Sequence, residues 1–164
     1  MSEMSDVIDE SDEVIGSATR QEIRKKNLWH RGVAILVLNS KGQIFVHKRA
    51  EAKDIYPGMY DMFCGGAVLS GESYDEAAIR EVQEEMGIKN PKLKFLFKIK
   101  IESDTNRVIE SVYLCVYDGK IRVQREEIEK GSFMTMDELK ELMKKEKFCP
   151  EAPMVFKRYE EMQK

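Results

Sequence analysis

The sequence predicts an α/β sandwich built on a mixed β-sheet, and three observations carry that expectation. Residues 32–38 (GVAILVL) form a nearly unbroken, branched apolar run, the signature of a strand buried on both faces. Several shorter runs with strand character flank it on both sides. Two helices with marked beginnings, opening at Ser73 and at Thr135, interrupt or follow these strands. A chain of 164 residues suits one domain spanning 1–164.

Each element follows in order. Residues 1–13 hold six acidic groups and no basic one, and the first five are expected to be mobile. Residues 7–15 fit a short hairpin turning around 9–13. Residues 20–31, basic and polar, lead as a turn or short helix into the first core strand. The NSKG stretch at 39–42 is a turn, and 43–47 is expected to return as the partner strand. Residues 49–61 contain Pro57-Gly58 and read as a loop. Residues 62–68 read as a strand passing into a glycine-containing loop.

Ser73 and Glu76 then form a capping box, and Gly87 stands where a left-handed residue ends a helix. Residues 94–101 and 107–117 read as strands, and 118–120 turn the chain into another at 121–124. A second capping box, Thr135 with Glu138, opens a helix to about residue 145, and a last helix spans 153–162.

Composition excludes several function classes. A formal charge of −3 gives no global attraction to nucleic acid or anionic membrane. No apolar run approaches a membrane span. The acidic N-terminus fits neither a secretory nor a transit signal, so a cytoplasmic location is expected. Cys64, Cys115 and Cys149 form no CxxC and read as reduced thiols. His30 and His47 are isolated, which leaves no zinc pattern.

The helix opened by Ser73 carries unusual charge. At 100° per residue, Ile79, Val82 and Met86 fall on one side as the expected buried stripe. Glu81, Glu84 and Glu85 cluster roughly opposite, at i, i+3 and i+4. Such neighbours repel, at a few tenths of a kcal/mol per pair (about 0.2–0.5). One reading is a solvated acidic face, with Arg80 pairing to Glu84. The other is a site for a hard cation, since Mg²⁺ and Mn²⁺ take carboxylate oxygens. The preceding stretch 64–72 (CGGAVLSGE) lets backbone come close to a ligand, though a glycine-rich turn alone is an ordinary connection.

Together they are specific. Gly66, five residues, Glu72, seven residues, Arg80-Glu81-Val82, one residue, Glu84-Glu85, one residue, then Gly87-Ile88 is identified as a complete Nudix box. Seven of its positions admit a single residue type, so a chance match is on the order of 10⁻⁹ to 10⁻⁸ per window. Outside the box the chain resembles the Nudix branch related to isopentenyl-diphosphate isomerase. Residues 28–31 (LWHR), the hairpin at 39–42 and residues 48–58 (KRAEAKDIYPG) carry that likeness, which covers most of 5–145.

The resemblance implies a Nudix-type α/β/α sandwich and a Mg²⁺- or Mn²⁺-dependent hydrolase of small-molecule diphosphates. It implies Glu81, Glu84 and Glu85 as metal ligands, joined by the carbonyl of Gly66, with Arg80 and Glu72 orienting the carboxylates. Glu84 is the first choice as base and Glu81 shares the catalytic set. Glu127 is a further candidate, because Nudix chains often place a functional glutamate before the last sheet element. Arg49 and Lys53 fall in the stretch resembling the isomerase's diphosphate-binding segment and are expected to contact phosphate. Many Nudix enzymes dimerise, so a homodimer is possible.

Two alternatives differ in class. The isomerase has Cys-Gly-His-Pro where this chain has Cys64-Gly65-Gly66-Ala67, so one metal-binding histidine is missing. His30 matches another, Ile23 replaces a third, and the Glu-x-Glu pair survives only as Glu110 before Ser111-Val112. Hydrolysis is therefore favoured. A non-catalytic diphosphate-binding module is the other alternative, disfavoured by the intact box glutamates. The box does not specify the group attached to the phosphates. Trp29, Phe63, Tyr113 and Phe133 could stack on a base, but core packing is the favoured reading.

Overall fold

The computed structural model describes residues 3–53 and 55–164. The chain forms β1 (Met4–Ile8), β2 (Val14–Thr19), α1 (Arg20–Lys26), β3 (Trp29–Leu38), β4 (Ile44–Arg49), β5 (Tyr60–Asp61), β6 (Phe63–Ala67), α2 (Tyr74–Met86), β7 (Leu93–Glu102), β8 (Arg107–Val116), β9 (Ile128–Met134), α3 (Met136–Lys145) and α4 (Ala152–Met162). The described strands belong to one connected, mixed sheet. β3 is its centre. It runs parallel to β8 from Trp29↔Arg107 to Leu38↔Val116 and antiparallel to β6 from Gly32↔Ala67 to Leu36↔Phe63.

The branched run behaves as its composition dictates. Val33 through Val37 are buried, and their alternate side chains enter two different cores. Val33, Ile35 and Val37 pack with Ala77, Ala78, Val82 and Met86 of α2. Ala34 and Leu36 pack with Leu139 of α3 and with Val155, Phe156 and Tyr159 of α4. The sheet thus lies between helices, as expected. Fully burying one such aliphatic side chain contributes about 1.5–3 kcal/mol.

Four local expectations are corrected. Met4 and Ser5 belong to β1, and Ser5 is 3% exposed; of the stretch expected to be mobile, residues 1 and 2 lie outside the described residues. The strand after the NSKG turn pairs with β3 only at Leu38↔Ile44. β6 takes the edge of β3 that a hairpin would need, and β4 pairs instead with β9 and β5. Residues 121–124 are not a strand. Their amides serve the end of α2, with Arg122 N–H donating to Met86 O and Gln124 N–H to Glu85 O. These fill carbonyls a helix leaves unsatisfied. The strand is β9, a few residues later. Finally, Ile79 is 40% exposed, and Ala78 takes its place in the buried stripe.

Candidate active site

The site begins with how α2 starts and stops. Ser73 Oγ accepts from Glu76 N–H, Glu76 returns the bond to Ser73 N–H, and Gly87 closes the helix at φ 67°. A non-glycine residue would be strained there. β1 steadies the loop before the helix, because Ser70 N–H donates to Met4 O at 2.9 Å.

Arg80 ties this loop to the helix. Its guanidinium donates to Glu72 (2.7 and 3.0 Å), to Ala67 O (3.1 Å), to Glu81 (2.7 Å) and, more loosely, to Glu84 (3.4 Å). Arg80 and Glu72, expected to orient the carboxylates, are thus in direct contact. The Arg80 bond, helped by Leu69 N–H, holds the Glu72 carboxyl below its ordinary pKa.

Glu81 and Glu85 face inward. Burial pushes the Glu81 carboxyl up, against the pull of Arg80, and the charges of Glu84 and Glu127 add to the rise. Burial and then the charge of Glu81 push Glu85 up to about 8, although Gly65 N–H donates to it at 2.9 Å. Two glycines make this possible. A Cβ on Gly66 would lie 2.7 Å from Glu81 Oε1, so the bare backbone provides the space that carboxylate occupies. A Cβ on Gly65 would collide with the Val33 carbonyl oxygen. The Cys64-Gly65-Gly66 run was the sequence signal for Gly65, whose contact with Glu85 was not foreseen.

Glu127 and Lys53 join the group as an ion pair, and both charges act on Glu85. Arg49 does not join it. Its guanidinium donates to Ile55 O at 2.9 and 3.2 Å, and its charge acts on Asp61 and His47. Glu84 is an exposed end of the cluster, its side chain 52% accessible. Among the described residues no three His, Cys, Asp or Glu side chains stand close enough to hold a metal ion. Glu81 is turned to Arg80, Glu85 to Gly65, and Glu84 outward.

The donor set nevertheless suits a hard divalent cation. It offers oxygen ligands only, the bare backbone at Gly66 leaves room beside Glu81, and inward carboxylates raise one another's affinity for positive charge. Cys64, Cys115 and Cys149 are free and buried. Phe63 and Tyr113 are core residues, and Phe133 packs edge-on against Phe45.

A family model for the NUDIX domain matches residues 28–155. The chain belongs to the Nudix family. It is similar to a Nudix hydrolase of Streptomyces coelicolor, at 37% identity over 95% of this chain and 87% of that protein. A Pseudomonas aeruginosa Nudix hydrolase is 34% identical over 93% and 90%. A crystal structure of a Deinococcus radiodurans protein superposes with TM-score 0.83 at 28% identity, covering 95% of this chain and 98% of that one. The fold and the enzyme class expected from the box therefore hold: this Nudix hydrolase is an enzyme of diphosphate hydrolysis, in a family that generally needs divalent cations. No described helix is long and apolar enough to cross a membrane.

Proposed function

We propose that the enzyme hydrolyses the diphosphate linkage of a small molecule with Mg²⁺ or Mn²⁺, held by Glu81, Glu84, Glu85 and the Gly66 carbonyl. The observation that carries this reading is the inward pair Glu81 and Glu85, held by Arg80 and the Gly65 amide beside the bare backbone of Gly66. The cation, when bound, would neutralise phosphate oxygens and supply an activated water.

The chain's residues do the rest. Arg80, fixed by Glu72, keeps Glu81 from swinging away from the loop. Gly65 N–H fixes Glu85. Glu84, exposed at one end of the group, takes the proton of the attacking water at its carboxylate, so that oxygen attacks phosphorus as the opposite phosphate leaves. Lys53 offers positive charge to the phosphates once Glu127 releases it; Glu127 is the second candidate for proton removal. Arg49 lies with Asp61 and carries no phosphate role in this reading.

The resemblance to the isomerase does not extend to its chemistry here. Cys64 is buried, and burial followed by the charges of Glu85 and Glu81 pushes its thiol well above its ordinary pKa, so it is held protonated. The test is phosphate release from a broad diphosphate library with Mg²⁺ and Mn²⁺. Turnover that needs the metal and disappears in Glu84→Gln supports the assignment. Dimethylallyl diphosphate formed from isopentenyl diphosphate without phosphate release would replace it with isomerisation.

A further inference from the structure

The turn of the β1–β2 hairpin reaches across the fold through a side chain that the turn itself does not need. Asp9 closes that turn. Its Oδ1 accepts from Ser11 N–H at 2.8 Å and Glu13 N–H at 3.0 Å, and its amide donates to Glu13 O at 2.9 Å. Asp12 stands in the same turn at φ 65°, a left-handed conformation that aspartate tolerates better than most residues. Its carboxylate turns away from the hairpin. Arg31 Nε of β3 donates to it at 2.6 Å, the Tyr74 hydroxyl of α2 at 3.0 Å and Lys98 Nζ of β7 at 3.1 Å. Arg31 also donates to the Asp12 carbonyl at 2.7 Å. The Lys98 ammonium lies 4.3 Å and the Arg31 guanidinium 5.4 Å from the centre of the Tyr74 ring. Asp12 therefore joins residues 19, 62 and 86 positions away along the chain, two of them through charge-assisted bonds.

The hairpin also holds residues 68–74, the segment between β6 and α2. Val68 N–H donates to the Arg31 carbonyl at 3.0 Å, Leu69 bridges to Ser5, and Ser70 N–H donates to the Met4 carbonyl at 2.9 Å. Tyr74, the first residue of α2, is gripped at the far end by Asp12. Both ends of the segment are thus held from one side, and Glu72 stands between them. Leu69 N–H donates to the Glu72 carboxylate at 2.9 Å, and Glu72 N–H donates back to Leu69 O at 3.0 Å. The same carboxylate takes the Arg80 guanidinium at 2.7 and 3.0 Å, and Arg80 holds Glu81 at 2.7 Å. Hydrogen bonds and the backbone of residues 72–74 therefore connect Asp12 to a box carboxylate.

We propose that Asp12 is a positioning residue for the hydrolytic site: by locking the hairpin against Tyr74 it fixes Glu72 and, through Arg80, the α2 carboxylates in the arrangement that receives the cation. This rests on the hydrolase reading above. Groups that hold a ligand side chain in place matter to metal affinity nearly as much as the ligands themselves. The turn is closed by Asp9, so its own geometry requires no carboxylate at position 12. Without that carboxylate, Arg31 and Lys98 would repel each other across the Tyr74 ring.

The test titrates Mn²⁺ calorimetrically into the full chain and measures the Mn²⁺ concentration for half-maximal phosphate release from the diphosphate it cleaves best. Asp12→Asn keeps the shape of the turn and is expected to weaken Mn²⁺ binding about 10- to 100-fold. Tyr74→Phe, which leaves both cations on Asp12, is expected to weaken it about 5-fold. In an Arg80→Ala background, Asp12→Asn should add less than about 2-fold, because the path through Arg80 is already cut. Val155→Ala, in the core on the other face of the sheet, should lower the melting temperature without moving the Mn²⁺ affinity. A merely structural role gives a different result: Asp12→Asn melts lower and binds Mn²⁺ as the wild type does. That outcome, or full additivity of Asp12→Asn with Arg80→Ala, overturns the proposal and leaves the hydrolase reading intact. Where Asp12→Asn does not fold, wild-type affinity in Tyr74→Phe overturns it. A wild type that takes up no Mn²⁺ and releases no phosphate overturns both.

Discussion

Helices α2 and α3 start alike and end differently. Each opens on a hydroxyl N-cap in a complete capping box, Ser73 with Glu76 and Thr135 with Glu138. α3 then follows the ordinary rules. Lys144 and Lys145 occupy its last turn, where positive charge complements the helix dipole, and Glu141 pairs with Lys144 in solvent. α2 has no basic residue in its last turn and carries Glu84 and Glu85 there instead. Each such carboxylate opposes the dipole by about 0.3–1 kcal/mol, and each repels its neighbours. The difference teaches that the start of a helix encodes structure, while charge placed against the dipole and turned inward marks function. Arg80 and the Gly65 amide offset the cost only in part.

Seven substitutions, two of them read through pH, can break or sharpen this contrast. The largest effect is expected from Glu84→Gln, which should lower kcat by about 10²- to 10³-fold with little change in melting temperature, because its side chain is 52% exposed. Glu141→Gln, the matching exposed acid of α3, should leave turnover unchanged; a comparable loss there would erase the distinction. Gly66→Ala should cost about 10- to 100-fold in kcat/KM, since the new methyl sits where the Glu81 carboxylate now lies. Unchanged kinetics in that variant would show that Glu81 has no need of the space.

Arg80→Ala should destabilise by about 1–3 kcal/mol in urea unfolding, as Glu72 and Glu81 are mostly buried and lose their cation. Lys144→Ala in α3 should cost under about 0.5 kcal/mol, because both partners of its pair are exposed.

The smallest effects lie in pH, measured as melting temperature in chelator, and the two helices should differ in sign. Glu85 ionises near 8 when folded, above the ordinary value of 4.5, so the folded state holds its proton longer than the unfolded chain. Its contribution is present below the ordinary value and is lost as pH rises toward 8. Thr135 bonds hold Glu138 below its ordinary value, so its contribution is present above that value and is lost as pH falls. Glu85→Gln should flatten the decline between the ordinary value of 4.5 and about 8 by about a few degrees, and Glu138→Gln only the decline below the ordinary value. The reverse pattern would contradict the placement of both.

Much of this was legible in the chain itself. Both capping boxes, the Gly87 stop and the branched run at 32–38 are short-range signals, and each stands where the residues place it. The box spacing placed Arg80 and Glu72 together correctly because helix geometry and one tight loop fix their separation. What was not legible depends on partners distant in sequence. Residues 121–124 have strand composition but serve the carbonyls ending α2, which no local pattern announces. The 39–42 turn looks like a hairpin, yet β6 competes for the same edge of β3. Ile79 fits the periodicity, but Ala77, Ala78, Val82 and Met86 form the buried side of α2. Arg49 and Lys53, four residues apart, have different partners, because Lys53 meets Glu127 while the Ile55 carbonyl, beyond Lys53, takes up Arg49.

The most direct test is calorimetric titration of Mn²⁺ into the wild type and into a variant combining Glu81→Gln, Glu84→Gln and Glu85→Gln, each with a slowly hydrolysed diphosphate analogue present. The α2 carboxylates are predicted to take up at least one ion in the wild type and none in the variant. Equal uptake by both proteins, or none by the wild type, would contradict the assignment of α2 as the metal-holding helix.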